Sequence, residues 1–158
     1  MASLPSIARR LVFYSYPHDL TRDTTLLLSF MSANPQELYK DHYPLAWKAM
    51  EAMVVGTAAS AVYSARLAFG VRQSNHRNIT IPQTHIEIGL GQSTELSTNA
   101  EGFVHWSLPA GKEVGSDQSQ GKGLLKAVNN TQEQKDICVG TLEDKSTFSP
   151  MISWPRVK

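Results

Sequence analysis

The sequence predicts a mainly β protein, a single antiparallel β-sandwich spanning residues 1–158 with one short helix, and three observations carry that expectation. Two segments alternate with a period of two. Ile86, Ile88 and Leu90 oppose His85 and Glu87, and Val104, Trp106 and Leu108 oppose Phe103, His105 and Ser107, which gives each strand a dry face and a wetter one. Short apolar and β-branched runs, about eight to ten of them, recur at hairpin-like spacing between Gly, Pro, Asn and Ser clusters, without the long helical segments of a βαβ fold. Finally, 158 residues suffice to bury about two thirds of the unfolded surface, and the single cysteine, Cys138, excludes an internal disulfide, so the core must hold the fold together.

Taken in order, residues 11–16 (LVFYSY) read as a first strand stopped by Pro17, and 23–31 (DTTLLLSFM) as its partner in an opening hairpin. A short helix is expected at 35–39, where Asn34 caps, Pro35 suits the first helical position and Glu37 complements the dipole. Residues 45–72 admit two readings. From Ala61 onward Tyr63, Ala65, Leu67, Phe69 and Val71 share one parity, which favours a hairpin of strands turning at Gly56-Thr57; the alternative is one helix over 46–68, which Gly56 would weaken by about 1 kcal/mol. Residues 111–123, with four glycines and almost nothing apolar, read as a loop. Two late strands follow at 124–128 and 136–142. The tail at 149–155 is expected to supply at most one edge strand, because its prolines remove ladder donors.

Charge is nearly balanced, with 15 Lys+Arg against 14 Asp+Glu, and the longest basic run is Arg9-Arg10. That argues against an electrostatically driven nucleic-acid partner. The two arginines also interrupt what would be the apolar core of a signal peptide, and the most apolar stretch, 45–71, is broken by Lys48, Glu51 and Arg66. The expectation is a soluble protein with no transmembrane segment, cytoplasmic or exported without a signal peptide.

Chemistry-bearing motifs are few. Gly115 and Gly121 before Lys122 have the wrong spacing for a phosphate loop, and Gly123 stands where Ser or Thr should hold magnesium. No nucleophile elbow is present, and Cys138 lies in an apolar run that raises rather than lowers a thiol pKa. No catalytic residue is therefore assigned, and no cofactor is required. One metal alternative remains: His85 and Glu87 share a face, and a neighbouring strand carrying His105 would complete a two-histidine, one-carboxylate site for a divalent transition metal, as in a metal-dependent enzyme. The competing reading makes them ordinary polar residues of an exposed sheet face.

Tyr39, His42, Tyr43 and Trp47 crowd the connection after the short helix. Rings on a loop offer flat apolar area with a polar tip, suited to carbohydrate or lipid head groups, whereas the plainer reading has them plug one end of the sandwich. Strand count and aromatic loops together resemble small β-sandwich lectins and membrane-binding proteins, a likeness of architecture that transfers no residue role. The leading expectation is a non-catalytic ligand-binding or interaction module using those four residues. A structural, self-assembling protein is the other alternative, with sheet edges and the Trp154 tail as candidate homo-oligomer contacts.

Overall fold

The computed structural model describes residues 8–16, 24–31, 36, 39–53, 55–72, 74–75, 78–79, 84–111, 123–143 and 147–158. These form β1 (Ala8–Tyr14), β2 (Thr24–Ser29), β3 (Tyr43–Pro44), β4 (Ala46–Met53), β5 (Ala58–Ser64), β6 (Leu67–Arg72) and β7 (Ser74–Asn75). The series continues with β8 (Asn78–Ile79), β9 (His85–Ile88), β10 (Ser93–Thr98), β11 (Val104–Trp106), β12 (Lys126–Asn129), β13 (Lys135–Leu142) and β14 (Phe148–Val157). The architecture is mainly β and sandwich-like. The helix expected at 35–39 falls largely outside the described residues; of its span, Gln36 carries a 3₁₀ conformation and Tyr39 a left-handed φ of 65° that opens a turn.

The early strands do not form the expected local hairpins. β1 pairs with β5 from Ala8↔Ser64 to Tyr14↔Ala58, and β2 pairs with β4 from Thr24↔Met53 to Ser29↔Ala46, both antiparallel. The two ladders therefore run on as one bent ribbon. At the bend the Ser15 N–H donates to the Thr57 carbonyl at 3.0 Å, and the Ser15 carbonyl accepts from Gly56 N–H at 2.9 Å. Gly56 makes the turn at a φ of 80°, open to glycine at no steric cost. The helix alternative for 46–68 is not realised. Its alternating parity wins, with Ala61 turned inward and Val62 outward.

β3, β14, β13, β6 and β9 form an antiparallel five-stranded sheet in that order. The expectation of at most one edge strand near the tail is corrected here: β14 has ten residues and pairs on both sides, with β13 and with β3. Its prolines are tolerated because each lies beside a register irregularity. Pro150 opposes Gly140 where the ladder skips Met151, and Pro155 falls in the second shift, where Asp136 Oδ1 accepts the Arg156 N–H at 2.9 Å.

A second sheet has the order β11, β10, β12, with β10 antiparallel to β11 and parallel to β12. β10 was not anticipated. Its sequence, STELST, turns only Thr94 and Leu96 inward, too little apolar content to register as a strand by pattern. The two sheets meet over Phe69, Val71, Ile88 and Ile137 on one side and Leu96 and Trp106 on the other. Phe69 and Trp106 stack at 6.1 Å. The opposite parity of the five-stranded sheet is not bare either: Ala68, Cys138, Leu142 and Phe148 cluster there. Where the ribbon crosses β14, Trp47, Ala61 and Met151 form a third cluster with Phe30 and Tyr63 beside them.

Candidate functional site

The aromatic group read from 39–47 is divided by the fold rather than assembled. Trp47 is 5% exposed. Its indole N–H donates to Thr141 Oγ1 at 3.2 Å, and its ring meets Phe30 and Tyr63 edge-on, so its faces serve the core. His42 is buried against the Trp154 ring, with centroids 5.7 Å apart. Tyr43 is half-buried in β3, where it pairs with Ser153. Only Tyr39 among the four presents its ring to solvent, at 76% exposure. The cause is β3: its pairing with β14 draws a loop-like sequence down onto the sheet edge.

The proposed ligands His85, Glu87 and His105 are not brought together. β9 belongs to the five-stranded sheet and β11 to the three-stranded one, and Ile86, Ile88, Val104 and Trp106 all point into the shared core. Their alternate neighbours must then emerge on opposite outer faces. Each has local work instead. His85 stacks on Phe148 at 5.7 Å with the rings 9° from parallel, and His105 Nε2 lies 3.3 Å from Ser97 Oγ. Glu87 accepts two hydrogen bonds from the Arg66 guanidinium, at 2.7 and 2.6 Å. Those bonds, helped by the Arg66 charge and opposed by partial burial, hold its carboxyl below the usual range. Among the described residues no three His, Cys, Asp or Glu side chains group for a metal.

A different site emerges between the sheets. Leu125, Lys126 and Ala127 from the β12 side face Phe69, Ile137, Val139, Trp154 and Val157 from the five-stranded sheet across a crevice of about 340 Å³. Its lining is apolar except for Lys126, whose exposed side chain alternates with Leu125 and Ala127 and so points to the outer face. The Trp154 ring of this wall also touches His42, so the aromatic connection reaches the crevice through that contact. Nearby, Trp106 buries an indole N–H that finds no acceptor among the described residues, a cost of roughly 1–3 kcal/mol.

A second, polar depression of about 440 Å³ lies at the 97–99 and 130–133 segments, with Gly102, Val104 and Lys135. Asn129 is common to the framework of both. Its amide N–H groups donate to the Glu133 and Val157 carbonyls, each at 2.8 Å, and its Oδ1 accepts the Thr131 N–H at 3.0 Å. A buried side chain so fully used fixes the β12–β13 turn between crevice and depression. Glu133 at that turn takes a hydrogen bond from Lys135 Nζ at 2.5 Å, which holds its carboxyl below the usual range.

Sequence reasoning missed the crevice because each lining residue reads locally as ordinary core. The parallel pairing of β10 with β12, which sets Leu125 and Ala127 opposite β13 and β14, leaves no local signature. Among the described residues no helix is long and apolar enough to cross a membrane. Comparison with protein-family models, with curated proteins and with solved structures found no match.

Proposed function

We propose that this chain is a non-catalytic binding module for an amphipathic lipid, whose apolar chain enters the crevice between the sheets and whose polar head group stays at its mouth. The observation that carries the reading is the lining itself: seven apolar residues around about 340 Å³. That volume lies within the range of small-ligand pockets, and predominantly apolar walls are the usual composition of such sites. Tyr39 remains the exposed ring of the aromatic connection and contributes at a lipid surface, where a ring with a polar tip is favoured.

Titration with a long-chain fatty acid and with the matching alcohol tests this directly, read by calorimetry and by quenching of tryptophan emission. Saturable binding of both is expected. Ala127→Trp, which fills the crevice, should abolish both, and Lys126→Ala, on the outer face, should leave both unchanged. Binding that survives Ala127→Trp would locate the ligand elsewhere.

A carbohydrate ligand is the second reading, favoured by the polar depression, where Asn99, Asn130 and Gln132 offer amides of the kind that read sugar hydroxyls. A glycan array with wild type and Asn130→Ala separates the two. A sugar signal lost in that variant and kept in Ala127→Trp would favour it over the lipid.

A further inference from the structure

The outer edge of the bent ribbon has no role in either ligand site. Six of the seven residues of β1 are exposed. Leu11 is 40%, Val12 41% and Tyr14 65% exposed, and Val62 on the paired strand is 52% exposed. Among the described residues β1 is hydrogen-bonded to β5 alone. Two strands by themselves are marginally stable, and an apolar edge invites a further strand. Two arginines are the only edge protection β1 carries: ARRLVFY has no proline or lysine, and its ladder with β5 runs through all seven pairs without a bulge.

We propose that the edge of β1 pairs antiparallel with β1 of a second copy of this chain, about a two-fold axis at Leu11, giving a continuous four-stranded sheet. The charges select the antiparallel direction, and an axis at Leu11, the middle of β1, pairs all seven residues. Neither β1 nor β5 contains an acid to neutralise Arg9 and Arg10, and parallel in-register pairing would set each arginine against its own copy. The antiparallel arrangement about Leu11 sets Arg9 opposite Phe13, Arg10 opposite Val12, Ala8 opposite Tyr14 and Leu11 opposite itself. No like charges then face each other, a guanidinium lies by an aromatic ring, and the apolar residues meet across the axis. A second copy is the occupant this edge fits, because an isologous contact needs one surface that complements itself.

Sedimentation equilibrium over a wide concentration range, combined with cysteine trapping, tests the pairing without reference to any ligand. Wild type should be a dimer that dissociates on dilution. Leu11→Cys places two thiols on the axis at the Cα separation a disulfide spans, so mild oxidation should trap a covalent dimer. Ala8→Cys, opposite Tyr14, should trap far less. The native Cys138, 1% exposed, supplies no competing thiol. Leu11→Lys, at a position already part-exposed, should raise the dissociation constant at least tenfold, with circular dichroism verifying the fold. A wild-type monomer at every concentration, equal trapping by the two cysteine variants, or a dimer undiminished by Leu11→Lys would each overturn the proposal.

Discussion

Cys138 shows how a residue's surroundings override its intrinsic chemistry. It pairs with Gly70 and donates its thiol to the Gly70 carbonyl at 3.3 Å, and burial pushes its pKa from an ordinary 9.0 up to about 12 despite the opposing influence of Arg72. A thiolate is the reactive form, so the native protein should resist an aromatic disulfide reagent at pH 8 and react only at the rate of unfolding. The same shift has a sign in stability. The unfolded thiol ionises first, so the contribution of the buried neutral thiol is intact below about pH 9 and is lost progressively as pH rises toward 12. Cys138→Ala should flatten the alkaline limb of a denaturation-against-pH profile. An alkaline limb that Cys138→Ala leaves unchanged would show another group to be responsible.

At the scale of elements, the β13–β14 irregularity depends on one glycine. A Cβ at Gly140 would run into the Ser149 carbonyl oxygen and lie 2.7 Å from Pro150 Cα, and both obstacles are backbone. Gly140→Ala should therefore cost about 3 kcal/mol, at the upper end of overpacking effects, as read by a lower urea midpoint. Gly70→Ala tests the contrast, since its obstacle is the movable ring of Phe148 at 2.7 Å. The gentler penalty is expected there.

These elements also show where sequence pattern succeeds. Ile86, Ile88, Val104 and Trp106 announced their faces because strict alternation has one structural meaning, whereas Leu90 and Leu108, expected on the same faces, lie past the ends of β9 and β11 and are exposed. Partner choice was opaque: nothing local in 11–16 points to 58–64 rather than to 24–29. The candidate site suffered in the same way. Trp47 and His42 have the composition of ligand contacts, and only distant partners turn them inward: Ala61 and Met151 for Trp47, Trp154 of β14 for His42. Leu125, Ala127 and Trp154 look like core and line a crevice because of a parallel pairing that leaves no trace in their own segments.

For the whole molecule, the crevice couples ligand to stability. A lipid that binds only the folded chain should add about 2.7 kcal/mol at a hundred times its dissociation constant, seen as a higher Tm that grows with ligand concentration. In Ala127→Trp the Tm should be indifferent to added fatty acid, a check independent of any binding signal. β14 bears on the molecule as a whole in another way. It lies between β13 and β3 and also borders the third core cluster through Met151, yet it is made after every strand it joins. During synthesis, β3 and β13 must therefore wait with open edges until residues 148–157 have left the ribosome. Contacts between Pro44 and Ile152 close a loop of more than a hundred residues, the kind of non-local pairing that slows folding into the millisecond-to-second range. The nascent chain spends that interval as an incomplete sheet, the stage at which it has most to gain from a chaperone.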